Sequence, residues 1–145
     1  MLVEKLKSLL DGSGVVEHNG IVFVNDGNEI TVTATGSFTS SVVSFKLNSV
    51  QLRLLRMSLE STNKSILVFP IFKHKNGIRL VFDWTSDNPF ALDLVEDGTS
   101  VVHEYWGAMV WDRWTVFPDG KVQYTGDSNV GGDRPKWVEA ALAGG

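Results

Sequence analysis

Glu104 and Asp112 are the side chains of this sequence best placed for acid–base chemistry. Each lies near tryptophan in the stretch His103-Glu-Tyr-Trp-Gly-Ala-Met-Val-Trp-Asp-Arg-Trp-Thr-Val-Phe117. A carboxylate in an apolar, aromatic setting has its pKa raised, which is the condition for a general acid. Read as one strand, residues 103–117 put both carboxylates on the even face with Trp106 and Trp114. Eight residues of strand then separate them by roughly 26 Å, too far to flank one bond. Asp83, beside Trp84, reaches either only through the fold. No catalytic constellation follows, and no enzymatic role is expected.

Other reactive residue types give less. The histidines His18, His74 and His103 are isolated along the chain. His18 and His74 fall in or near turns and are expected to be solvated. His103-Glu104 is not a metal motif, because neighbours in a strand face opposite ways. Asp127-Ser-Asn-Val-Gly-Gly-Asp133 begins like a calcium loop but has Gly131 at the fifth position and Val138 at the twelfth, where a bidentate glutamate is needed. Its glycines precede a helix and can hold an anion through backbone N–H groups, yet no lysine-serine pair follows, so it is not a P-loop. Asp11-Gly-Ser-Gly14 lacks the spacing of a nucleophile elbow, and Asn63-Lys64-Ser65 matches the glycosylation pattern without a secretory signal before it. With no cysteine, thiolate metal sites, disulfides and cysteine nucleophiles are excluded. Neither a cofactor nor a metal is expected.

Binding chemistry is better represented. Residues 103–117 hold three of the five tryptophans, and Trp106, Trp111 and Trp114 with Arg113 form the candidate binding set, rimmed by Asp112 and Asp119. Tryptophan and arginine dominate interface hot spots because each buries much area with few degrees of freedom and also donates hydrogen bonds. The competing reading places these rings in the core. Both faces of the stretch are apolar or aromatic, which is the pattern of a strand covered on both sides by a helix, a curled sheet, a ligand or a partner.

The elements that must position these residues are mostly strands. Residues 2–10 form an amphipathic helix ended by Asp11-Gly-Ser-Gly14. A meander follows over Val15–Glu17, Ile21–Val24 and Glu29–Ala34, turned by His18-Asn19-Gly20 and Asn25-Asp26-Gly27, with a further strand at Val42–Leu47. Asn48 with Gln51 reads as a reciprocal capping box opening a helix. Strands are expected again at Ile66–Lys73, Ile78–Trp84 and Phe90–Val95. Glu96-Asp97-Gly98 leads into the aromatic strand, and Pro118-Asp119-Gly120 leads out of it to Lys121–Thr125. A final helix is expected to be capped by Asp133, with Pro135 in its first turn. The expectation is a single domain over residues 1–145, of α+β class: a strand-dominated antiparallel sheet, curled or a partial barrel, with short N- and C-terminal helices.

Charge is unevenly spread. Residues 46–79 carry a net +6 and residues 80–133 a net −8 within a total of −4. Either strands of the two segments pair across the sheet, or the surface is two-signed and steers a charged partner. Overall acidity argues against non-specific nucleic-acid binding, and no apolar run reaches membrane-span length. A cytoplasmic location is the default. The sequence points first to a protein-binding module that neutralises or regulates a macromolecular partner, inhibitor- or immunity-like, with the acidic segment 80–133 as contact face. A homodimer whose tryptophan strands cover each other is a further possibility. The alternative is a small-molecule binder holding an apolar or sugar-like ligand in an aromatic-lined curled sheet.

Overall fold

The computed structural model describes residues 2–36, 41–62, 66–86, 88–105, 110–126 and 133–144. Trp106 and most of the calcium-like and glycosylation-pattern segments lie outside the described residues. The chain opens with helix α1 (Leu2–Leu10) and an antiparallel meander, β1 (Gly14–His18), β2 (Ile21–Asn25), β3 (Ile30–Thr35) and β4 (Val42–Lys46). The turns are those the sequence marks, with Asn19, Gly20 and Gly27 at positive φ. Along β3 the pattern alternates, with Ile30, Val32 and Ala34 buried and Thr31 and Thr33 half-buried, as in a sheet with one core face.

Helix α2 (Ser49–Ser61) follows, and its start is fixed by side chains. The Gln51 backbone N–H donates to Asn48 Oδ1 at 2.8 Å, and the Asn48 N–H donates back to Gln51 Oε1 at 3.0 Å. This is the capping box expected from the sequence, and it satisfies two donors that have no partner within the helix. The same residues tie the helix to a distant turn. Gln51 Nε2 donates to Val95 O and Thr99 O, and Asn48 Nδ2 donates to Gly98 O. Gln51 is fully buried, so those bonds replace the water it gave up.

A second antiparallel sheet comprises β5 (Ile66–Ile71), β6 (Gly77–Phe82), β7 (Phe90–Val95), β8 (Ser100–Tyr105), β9 (Trp111–Val116) and β10 (Val122–Tyr124), in the order β10-β9-β8-β7-β6-β5. Gly77 is required where β6 begins, because a Cβ there would lie 2.1 Å from the Leu94 carbonyl oxygen. Helix α3 (Lys136–Ala143) closes the chain. Its N-cap is Pro135 without a side-chain hydrogen bond, so the expected Asp133 cap is not made. The fold is α+β with helices at both ends, and neither sheet closes on itself. One continuous core joins both sheets and all three helices, with Leu54, Leu55 and Leu59 of α2 meeting Phe23, Leu92 and Val138 in the same cluster. Among the described residues no helix is long and apolar enough to cross a membrane.

The main departure from the sequence reading concerns residues 103–117. They do not form one strand. They belong to a hairpin in which β8 and β9 pair in register Tyr105↔Trp111, Glu104↔Asp112, His103↔Arg113 and Val102↔Trp114. Consequently β9 is not covered on both faces: Asp112, Trp114 and Val116 are buried, while Trp111, Arg113 and Thr115 are half-buried. The strand buried on both faces is β7.

Candidate functional site

The six-stranded sheet has two chemically different faces. Its even-numbered side chains from β6 to β10 face helices α2 and α3 and build the core. A row across the strands reads Leu80, Leu92, Val102, Trp114 and Tyr124, and Trp114 is 2% exposed. The odd-numbered side chains form the opposite, open face. There Phe69, Arg79, Asp93, Val101, Thr115 and Gln123 form one row, and Leu67, Val81, Ala91, His103 and Arg113 form the next. The sequence-predicted set is therefore split. Trp111 and Arg113 stand on the open face, Asp112 and Trp114 are buried against the helices, and Asp119 is exposed in the β9–β10 turn. Asp112 does not rim the tryptophans, because strand alternation puts it on the other side of β9 from Trp111.

At the centre of the open face lies Asp93, fully buried. An aspartate in the middle of Phe-Ala-Leu-Asp-Leu-Val needs donors, and the neighbouring strands supply them. Arg79 Nε and Nη2 donate to its two oxygens at 2.7 and 3.0 Å, Lys75 Nζ at 2.8 Å, and His103 Nε2 lies 2.9 Å away. Burial by itself raises the Asp93 pKa, but the bonds from His103, Arg79 and Lys75 more than offset it and hold the carboxyl well below the usual range. His103 is shifted down: its burial outweighs the attraction of Asp93, and Arg79 and Lys75 add to the shift. Its imidazole is thus neutral near pH 7 and donates through Nε2. His103 is therefore not isolated, as it looks along the chain. Arg79 and Lys75 belong to the basic segment and Asp93 to the acidic one, so at this place the charge asymmetry of the sequence is resolved by cross-strand pairing.

Arg79 and His103 of this cluster also line a depression of about 360 Å³, together with Val81, Ala91, Trp111 and Arg113. Tyr105 leans on Trp111 with ring centroids 4.9 Å apart, and the His103 ring meets Trp111 edge-on at 6.3 Å. Phe69 on the edge strand β5 is 46% exposed and extends the apolar surface outward. Lys75, Arg79 and Arg113 thus bring three basic side chains to this face beside Asp93, on a chain of net charge −4. The residues sequence reading missed are Lys75, Arg79, Asp93 and His103. The available signal was a single charge inside an apolar strand, with a compensating arginine on the strand before it.

The helix-facing side holds a second unusual group at its end, where the row Phe82, Phe90, Glu104, Asp112 crosses four strands. Glu104 and Asp112 are direct cross-strand partners, about 5 Å apart at Cβ. This corrects the expectation of wide separation, which assumed an unbroken strand. Burial and the facing Asp112 push the Glu104 pKa up. Asp112 is 1% exposed, and Tyr124 donates its hydroxyl to Oδ1 at 2.5 Å. Asp112 Oδ2 has no hydrogen-bond partner among the described residues.

The fold and these two groups define an α+β protein of two antiparallel sheets, with a basic–aromatic open face and a carboxylate pair on its helix-covered face. No protein-family model matches the chain, and no curated protein or solved structure matches it.

Proposed function

We propose that this chain is a protein-binding module that regulates an acidic protein partner by docking it on the open face of the six-stranded sheet, with Trp111, Arg113 and Arg79 at the contact. The observation that carries this reading is the juxtaposition of half-buried Trp111 and Arg113 with Arg79 and exposed Phe69 on a face that α2 and α3 leave open. Side chains of this kind supply large apolar area and charge-assisted donors together, the composition of interface hot spots. Asp93 holds Arg79 in place through two hydrogen bonds, which lowers the ordering entropy the contact must overcome. Arg79 and Arg113 beside Trp111 offer charge-assisted donors that suit carboxylates of a partner.

The test is partner association measured with wild-type protein and with Trp111→Ala and Arg113→Ala, after recovery of the complex from the host. Each substitution is expected to weaken binding by about 2 kcal/mol or more, and high salt to slow association while leaving dissociation nearly unchanged. Retention of the partner by both folded variants defeats the proposal. A second reading is favoured by the 360 Å³ depression itself, which suits a small anionic or aromatic ligand resting on Trp111 between Arg79 and Arg113. Native mass spectrometry separates the two: a protein-sized addition supports the first, and an addition of a few hundred daltons supports the second.

A further inference from the structure

His103 stands where the charge cluster and the depression meet. Its Nε2 donates to Asp93 Oδ2 at 2.9 Å, while its ring lines the depression and meets Trp111 edge-on. Asp93 Oδ2 also receives Lys75 Nζ and Arg79 Nη2, and Arg79 Nε takes Oδ1. The charges acting on His103 are those of Asp93 on β7, Arg79 on β6 and Lys75 in the turn before β6. Arg113 on β9 is its cross-strand partner, and Glu104, the next residue on β8, lies on the other face. Within the cluster one carboxylate already answers the two fixed cations bonded to it. A proton on His103 adds a third cation at a side chain only 9% exposed, where water does little to offset the repulsion. An anion seated between Arg79 and Arg113 supplies the compensating charge, beside the imidazole that lines the same depression.

We propose that docking of the acidic partner on the open face is coupled to uptake of a proton by His103, so that the face holds its partner more tightly in mildly acidic solution than at neutral pH. This rests on the docking reading and adds its regulation. The proton comes from solvent. Because the Nε2–H is spent on Asp93, the proton goes to Nδ1. The imidazolium keeps its bond to Asp93 and adds a positive charge to the lining of the depression. The coupling is reciprocal: a carboxylate that favours the imidazolium is bound more tightly by it to the same degree. In the free protein the His103 pKa is lowered by burial, with Arg79 and Lys75 adding to the effect against the pull of Asp93. Affinity therefore rises as pH falls from the His103 pKa of the complex to that of the free protein, and is level on either side of that window.

The probe is benzenesulfonate, an aromatic anion whose charge stays fixed across the range in which histidine titrates. It is titrated into the intact protein at about pH 5.5 and about pH 7.5, while the His103 Cε1–H is followed by NMR. Binding is expected to be about tenfold tighter at the lower pH. Saturating benzenesulfonate should raise the His103 pKa by about one pH unit, the same coupling read from its other side. His103→Gln keeps a side-chain donor for Asp93 but takes no charge, and its affinities at the two pH values should agree within about twofold. Glu104→Gln, on the other face, and His74→Gln, at an exposed turn position, should keep the wild-type pH dependence. Equal affinity at the two pH values in wild type, or a pH dependence that survives in His103→Gln, overturns the proton coupling and leaves the docking face standing. Benzenesulfonate that fails to saturate at either pH, or that binds Trp111→Ala and Arg113→Ala like wild type, removes the face as an anion site and the coupling with it. Should His103→Gln fail to fold, the wild-type His103 titration with and without benzenesulfonate decides alone.

Discussion

The two faces of the six-stranded sheet handle buried charge in opposite ways. On the open face Asp93 is fully buried yet receives bonds from Arg79, Lys75 and His103. On the helix-covered face Glu104 and Asp112 stand in register, and among the described residues no cation is bonded to either. A compensated buried charge is part of the scaffold: it fixes three strands relative to one another and orients Arg79 outward. The Glu104–Asp112 pair instead carries a raised Glu104 pKa, from burial and from the facing charge of Asp112. The same division applies to the tryptophans, since Trp114 fills the core while Trp111, three residues earlier, remains half-buried on the open side.

The largest effect that separates the faces should come from those tryptophans. Trp114→Ala removes a ring that is 2% exposed and is expected to destabilise the fold by about 3–5 kcal/mol in urea unfolding. Trp111→Ala should cost only about 1 kcal/mol. Equal losses at the two positions would erase the distinction between scaffold and binding surface. Next comes Asp93→Ala, expected to cost about 3 kcal/mol, the low end for breaking a buried pair because Arg79 and Lys75 keep contact with water. A loss below about 1 kcal/mol would mean that the cluster does not hold the sheet. Glu104→Gln should move stability the other way, raising it by about 0.2–1 kcal/mol as the cross-strand repulsion is relieved.

The pH dependence sharpens the same contrast. His103 has a folded pKa below its ordinary value of 6.5. As pH falls through about 6.5 the unfolded chain takes up a proton there that the folded chain refuses, so stability declines until the folded pKa is passed. Glu104 has a folded pKa above 4.5. In the window from 4.5 up to that folded value the native state keeps a proton the unfolded chain has lost, so its contribution declines as pH rises. Urea midpoints across mildly acidic pH should therefore lose one slope in His103→Gln and the opposite slope in Glu104→Gln. A wild-type stability that rises on acidification from about pH 7 to about pH 6 would contradict the placement of His103.

What was legible in the sequence was local. The Asn-Gly and Asp-Gly turns and the Asn48–Gln51 capping box depend on residues a few positions apart, and the chain uses them as expected. Strand parity was legible too, since Trp111 and Trp114 do face opposite ways. The break between β8 and β9 was not, because apolar residues run through the stretch and Gly107 is its one punctuation. That single omission misplaced Glu104 and Asp112, which register alone brings together. The Asp93 cluster needs pairing between β6 and β7 and between β7 and β8, a non-local fact that a charge inside an apolar strand announces without naming its partners.

Site-directed photo-crosslinking in the host tests the binding-face reading most directly. A photoreactive residue at Gln123 or Thr115 samples the open face, and one at Val15 or Val42, exposed at 64% and 60%, samples the four-stranded sheet. The reading predicts one acidic protein crosslinked from Gln123 and Thr115 and absent from Val15 and Val42, with Trp111→Ala abolishing the product. The same protein captured from Val15 or Val42 instead, or a product of twice the chain mass from Gln123, would contradict it.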